Sequence, residues 1–244
     1  MTDAPSLELF TGLRDRDYAR EGLLVCEGRI VLEKAVRAGL KIRAVLAVPA
    51  DADYCVSLCP AGTPLSVLAR PEMEGHIGFS FHRGVLALAE RPPRTGPDSL
   101  PDAAPPGPAL VLWNVTDPDN LGTLIRSAAA LGARAIYLGG GSADPYGRKA
   151  LRSSMGNALC LPLFFLESPE DLPLARGPGG TVLVAAARSP EALRPGELKL
   201  SGFPTIVLGN VGWGLPAAVL ERCDSAVMLP MAAGVDSLNV GAAG

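Results

Sequence analysis

The sequence predicts an α/β protein in two parts: a larger C-terminal domain built on a mostly parallel sheet, and a smaller α/β layer ahead of it. Three observations predict this. Short aliphatic runs alternate with helix-spaced segments from residue 109 onward, the pattern of strand–helix–strand winding. The stretch Arg91–Pro108 is so dense in Pro and Gly that it holds neither a helix nor a central strand. A chain of 244 residues, 48% hydrophobic and 19% charged, has room for one large or two small globular cores. The expected division is therefore 1–92, a linker at 93–108, and 109–244.

In the first domain, Glu21–Gly28 reads as a short strand ending in a turn. Arg29–Ala38 follows with Ile30, Leu32, Ala35 and Val36 at helical spacing, and Gly39 stops it. Ile42–Val48 and Val85–Ala89 are further strands. In the second domain, Ala109–Trp113 is a strand and Asn120–Leu131 a helix closed by Gly132, with Asn120 the expected N-cap. Ala135–Leu138 is the next strand and Arg148–Ser154 a short helix. The runs at Thr181–Ala186, Thr205–Leu208 and Ala226–Leu229 complete the sheet.

Three loops follow buried strands and carry the polar and glycine residues of interest. The first is Asn114–Arg126, where Asp117-Pro118 forces a turn and Gly122 and Arg126 share a helix face. Its plain reading is a capped helix with a surface arginine. The second is Gly209-Asn210-Val211-Gly212-Trp213-Gly214. Neither a strand-linked GxGxxG with a later acid nor a lysine-bearing phosphate loop is present, so backbone reading of an adenosine suits it better than anion capture. Gly139-Gly140-Gly141-Ser142 has no following lysine at phosphate-loop spacing and reads as a plain loop. The third is Leu229–Val240, where Ser237 and Asn239 share a face if the loop is extended, or cap the next helix.

A net charge of −3 opposes a protein that grips long stretches of phosphate, but leaves room for a local basic face. Between residues 11 and 43, Arg14, Arg16, Arg20, Arg29, Lys34, Arg37, Lys41 and Arg43 outnumber the acidic side chains, and this is one candidate face for RNA. The five cysteines form no CxxC pair, and the chain has two histidines, so a metal site is not expected and reduced cysteines are. The N-terminus carries no leader pattern and no apolar run spans a membrane, which points to the cytoplasm.

Taken in order, these motifs resemble the SpoU-type (TrmH-like) RNA 2′-O-ribose methyltransferase family of the SPOUT superfamily. The first family motif is matched at Asn114, Asp117, Pro118, Asn120, Gly122 and Arg126. A basic segment with a Ser-Met-Gly turn is matched at Pro145, Lys149, Arg152, Ser154, Met155 and Gly156. The second motif is matched at Gly209, Asn210, Gly212 and Gly214, and the third at Pro230, Met231, Ser237, Leu238 and Asn239. Cys26-Glu27-Gly28 and Gly78…His82-Arg83-Gly84 are similar to the small ribosomal-protein-like RNA-binding domain that precedes many members.

The resemblance implies a sheet whose C-terminal loops tie a trefoil knot, an exception to unknotted chains. It implies S-adenosylmethionine bound by Gly209, Asn210, Gly212, Gly214, Leu229, Met231 and Leu238, and a homodimer acting on structured rRNA or tRNA. Asn120, Arg126, Ser237 and Asn239 would be the catalytic group, with Arg126 clamping a phosphate beside the ribose hydroxyl. Two departures stand out. Val211 occupies a position where the family ordinarily carries Glu. The sequence also stops just inside what would be the last helix, with Gly241 in place of a usual Ser. A non-catalytic RNA-binding protein of the same superfamily is the alternative that these departures suggest.

Overall fold

Packing divides the chain into two units, Met1–Pro93 with Tyr146–Cys160, and Arg94–Pro145 with Leu161–Gly244. The structure is a computed structural model and describes residues 7–12, 14–99, 106–176, 181–189, 191–232 and 238–243.

In the first unit, α1 (Asp15–Arg20) leads into β1 (Leu23–Glu27), and α2 (Arg29–Arg37) turns off it at Gly28. Val31, Leu32 and Ala35 are buried along one helix stripe, as the spacing predicts. β2 (Ile42–Ala47), α3 (Pro49–Leu58), β3 (Leu65–Val67), α4 (Arg70–Ile77) and β4 (Val85–Glu90) complete the unit. The strands order as β1-β4-β2-β3, antiparallel except for the β2–β3 pair. Helices α1, α3 and α4 and strand β3 were not expected from the sequence. Two of them carry start signals nonetheless: α3 opens on Pro49, and α4 opens with Glu72 accepting from the Ala69 amide at 3.2 Å.

The segment Tyr146–Cys160, expected within 109–244, packs with the first unit. Its helix α6 (Arg148–Ser153) places Arg148 against Glu27, which is 5% exposed. Arg148 Nε donates to Glu27 Oε1 at 2.8 Å, a second guanidinium nitrogen donates to the same oxygen, and the guanidinium lies 4.6 Å from the Phe79 ring centroid. The Ser-Met-Gly turn closes behind it. Met155 and Gly156 both take positive φ, and a Cβ on Gly156 would lie 3.3 Å from Val31 Cα.

The second unit is a six-stranded sheet, parallel throughout: β5 (Ala109–Trp113), β6 (Ala135–Gly139), β7 (Leu163–Phe165), β8 (Leu183–Ala186), β9 (Thr205–Leu208) and β10 (Ser225–Val227). Their order is β10-β8-β9-β5-β6-β7. Every residue of β5 and β6 is buried, which is why these runs read as unbroken aliphatics. Ala109, Val111, Trp113, Ala135 and Tyr137 share one face of the sheet in a single core cluster. Residues 94–99, expected as linker, join this unit: the Thr95 carbonyl accepts from Phe165 N at 2.9 Å, and Arg94 pairs with Glu167.

Helix α5 (Pro118–Ala130) buries Leu121, Leu124, Ile125 and Ala128. It starts earlier than expected, and its N-cap is Asp117 rather than Asn120. One Asp117 carboxylate oxygen accepts from the amides of Asp119 and Asn120 at 2.8 and 3.0 Å. Pro118 at the first helical position needs no amide partner, so the Asp-Pro pair fixes the start. Two short helices, α7 (Ala217–Leu220) and α8 (Val240–Ala243), follow β9 and the last loop.

The Glu27–Arg148 pair gives a stability test. Removing Arg148 leaves the buried Glu27 carboxylate, among the described residues, with only a 3.9 Å contact to Arg152, so Arg148→Ala is expected to cost the first unit about 3 kcal/mol, whereas the paired change Glu27→Leu/Arg148→Leu recovers most of it. Urea unfolding of the three variants measures this; an Arg148→Ala loss below about 0.5 kcal/mol would show the pair to be unimportant.

Candidate functional site

Strand order decides where a site can form in the second unit. From β5 the chain winds outward through β6 and β7, then returns to build β8, β9 and β10 on the other side. The winding reverses between the neighbours β5 and β9, and crevices open at the carboxyl ends of strands at such a point. The loops after β5 and after β9 are therefore side by side. The loop after β10 starts at the sheet edge, and its far end comes back to α5, next to the centre of the sheet.

The turn after β9 is tightly drawn. Asn210 and Gly214 form an isolated bridge, with Gly214 N donating to Asn210 O at 2.9 Å. A Cβ on Gly209 would lie 2.7 Å from the Gly214 backbone, so only glycine fits there. The Asn210 side chain holds the turn from within. Its Oδ1 accepts from the amides of Gly212 and Trp213 at 2.8 and 3.3 Å, and its Nδ2 donates to the Asn114 carbonyl at 2.9 Å. Asn114 sits in the left-handed region at φ 56, a conformation that asparagine tolerates better than most residues. Asn210 thereby ties the second loop to the first.

The third loop is anchored on α5. Asn239 Nδ2 donates to Asn120 Oδ1 at 2.9 Å, while Asn239 Oδ1 caps α8 by accepting from Gly241 N at 2.8 Å. A Cβ on Gly241 would meet Thr123 of α5 at 3.3–3.4 Å. Asn239 thus caps the next helix, one of its two expected readings, and with the other end of its side chain bonds to α5.

Between these loops and the sheet lies a cavity of about 960 Å³, at the upper end of the range for small-molecule sites. Its floor is a rank of Val184, Ile206 and Leu110 in register on three neighbouring strands, and Ala128 of α5 and Leu131 just past its end form one wall. Gly209, Asn210, Gly212, Gly214, Leu229, Met231 and Leu238, all expected at the cofactor, line it together. Asn210 is the one of these whose side chain already serves the fold. Asn120, Arg126 and Asn239 are not among the lining residues. Arg126 is exposed and makes no hydrogen bond or ion pair among the described residues, although its neighbours Ser127 and Ala128 face the cavity. Ser237 lies outside the described residues.

Sequence reasoning missed Trp113 and Ser142. The Trp113 indole lies over Gly139 and Gly140, where added Cβ atoms would come within 2.6 Å of it. Ser142 Oγ accepts from Val115 N at 3.0 Å and lies 2.8 Å from the Gly139 carbonyl. The triple-glycine loop is thus a seat for Trp113, and a large aromatic ending the preceding strand was the available signal. The cysteines are all free. Burial pushes Cys26 up to about 12 and Cys55 up to about 11, so both are thiols at neutral pH and neither is an activated nucleophile. Among the described residues no cluster of His, Cys, Asp or Glu could hold a metal, and no helix is long and apolar enough to cross a membrane.

Comparison with known proteins agrees with this geometry. Residues 107–244 match the SpoU rRNA Methylase family. An uncharacterized tRNA/rRNA methyltransferase of Mycobacterium tuberculosis is 32% identical over 250 residues, spanning 99% of this chain and 86% of that protein. The chain belongs to the SpoU rRNA methylase family. The 23S rRNA (guanosine(2553)-2′-O)-methyltransferase RlmP of Bacillus subtilis is 34% identical over 55% of this chain and 53% of its own length. Among solved structures, the SpoU methyltransferase AviRb of Streptomyces viridochromogenes in complex with AdoMet superposes with a TM-score of 0.76. It is 27% identical, with 98% of this chain and 92% of that one covered.

The Asn210 staple is open to direct measurement. Asn210→Ala removes the acceptor for two amides, and a hydrogen bond of this kind is worth on the order of 1 kcal/mol. Exchange of the Gly212 and Trp213 amides is expected to quicken about tenfold; unchanged protection would mean that the turn holds its shape without the side chain.

Proposed function

We propose that this protein transfers a methyl group from S-adenosylmethionine to a ribose 2′-hydroxyl of ribosomal RNA. The observation that carries the reading is the convergence of the loops after β9 and β10 on one apolar cavity over β8, β9 and β5, with Asn210 and Asn239 tying both loops to the loop and helix that follow β5. Membership of the SpoU family supports the same activity, and relatives named as 23S rRNA 2′-O-methyltransferases support the substrate. A ribosomal RNA substrate is in keeping with the expected cytoplasmic location. The non-catalytic alternative rested on Val211 and on the end of the sequence; the named activities of the relatives count against it.

The cavity suits this cofactor on its own evidence. Its walls are mostly aliphatic, with glycine backbone at the pinched turn, and it offers no lysine-bearing phosphate cradle. Leu208, Gly209, Leu229 and Leu238 would hold the adenosine part through backbone and aliphatic contact. When bound, the cofactor supplies an electrophilic methyl on a sulfonium. The protein's task is to align the ribose oxygen and ease loss of its proton. Arg126 stays protonated and is no base; exposed and without a partner among the described residues, its planar guanidinium suits a clamp on the phosphate next to the reacting ribose. Asn120, whose Oδ1 is occupied by Asn239, has its amide hydrogens left for ribose or phosphate oxygens. Ser237 joins this group by its place in the third motif.

Two further features belong to this reading. The return of the third loop from the sheet edge to α5, fixed by the Asn239–Asn120 bond, supports a trefoil knot in the C-terminal loops. Exposed apolar side chains at Leu131, Leu200 and Phe203, the first 76% exposed, support a homodimer. The first unit, with Arg29 and Arg37 on α2, would supply RNA grip.

Arg126 provides the sharpest test. With labelled cofactor and unmodified ribosomal RNA, Arg126→Ala is expected to lower turnover on the order of 100-fold, the scale of losing one preorganised charge. Calorimetry should show cofactor affinity nearly unchanged, and Arg126→Lys should recover little. Near-normal turnover of Arg126→Ala would remove it from the chemistry; no methyl transfer by the unaltered protein would overturn the functional reading itself.

A further inference from the structure

Trp213 is the most exposed large apolar residue among those described, at 89%. Its position is unusual for such a side chain. It sits at the tip of the turn after β9, among the residues that line the cavity, and its side chain is open to water. The backbone that carries it is closely held. The Trp213 amide is bonded to Asn210 Oδ1, Gly212 on one side is bonded to the same oxygen, and Gly214 on the other closes the bridge at φ 68. A large planar surface on a fixed turn loses little further entropy when something stacks on it.

An apolar plane left in water at the edge of a cleft is poorly explained by the packing of this unit, because the indole contributes nothing to the core cluster there. It is well explained by an unstacked base. Bases splayed out of RNA are bound by stacking on aromatic side chains, and any base offers the face required. Arg126 on α5, exposed and without a hydrogen bond or ion pair among the described residues, suits a phosphate of the same strand.

We propose that Trp213 is a stacking platform for an unpaired base of the RNA strand brought to the cleft, so that it positions substrate without taking part in bond making. This rests on the methyltransferase reading given above. It assigns to the second motif loop a role in RNA capture besides any contact with cofactor.

A planarity series tests it. Trp213→Phe keeps a stacking face and is expected to hold KM for ribosomal RNA within about threefold, whereas Trp213→Leu and Trp213→Ala raise it on the order of tenfold. In all three, kcat and cofactor affinity should stay close to normal. Fluorescence gives a readout independent of activity. The chain has two tryptophans, and Trp113 is 5% exposed, so emission quenched by acrylamide reports Trp213. Addition of unmodified ribosomal RNA should shield it. A Leu variant with a normal KM, or a loss confined to kcat, would overturn the proposal. So would a Trp213 that acrylamide cannot reach before RNA is added, with a mass that falls to one chain in Trp213→Ala, since a second copy would then cover it. If RNA shields Trp213 while the unaltered protein transfers no methyl group, the platform stands and the assigned reaction falls.

Discussion

The geometry of the cleft depends on one carboxamide. Asn210 spends both ends of its side chain on backbone, accepting from two amides of its own turn and donating to a carbonyl of the neighbouring loop. Without that cross-brace, the turn after β9 would be a run of glycines with wide conformational freedom. With it, the glycines become a virtue: they let the chain fold back within 2.7 Å of where a side chain would stand, and they keep backbone near whatever the cavity holds. The cost of ordering a glycine loop is met inside the fold, before any ligand arrives.

Much of this was legible in the sequence because parallel sheets announce themselves. β5 and β6 are buried at every residue, and β9 at all but Ile206, so their aliphatic runs have little competing interpretation. The amphipathic stripe of α5 and the glycine-rich loops were equally plain. Elements that hide were those without a period. α3 buries Asp51 and Cys55 and has no aliphatic stripe, while β3 and β7 are three residues long and cannot show alternation. The start of α5 was misplaced by trusting Asn120 over the Asp117-Pro118 pair, although both are sound capping residues; the carboxylate won because proline fixed the first turn.

The site was legible in a different sense. Residues chosen for the cofactor gather at one cavity, since loop position follows from strand order. Of the polar residues chosen for chemistry, Asn120, Arg126 and Asn239 do not line that cavity. Asn120 and Asn239 bond to each other, and Arg126, further along α5, is exposed. Sequence spacing places a side chain on a helix face, but it cannot say which face turns toward a hollow. The basic segment around Arg148 makes the same point: its spacing fits a family motif, yet its strongest bond is a buried ion pair with Glu27 in the first unit.

That pair has a consequence for how the chain is made. Glu27 and its partner are 121 residues apart, and Tyr146–Cys160 interrupts the second unit to complete the first. At about 5–20 residues per second, a ribosome needs roughly 6–24 s after making Glu27 before Arg148 exists. Through that interval the nascent first unit lacks its last helix, and the carboxylate has water as its partner. The N-terminal unit is thus finished only after β5 and β6, two of the six strands of the second sheet, have been synthesised, and the order of assembly differs from the order of translation.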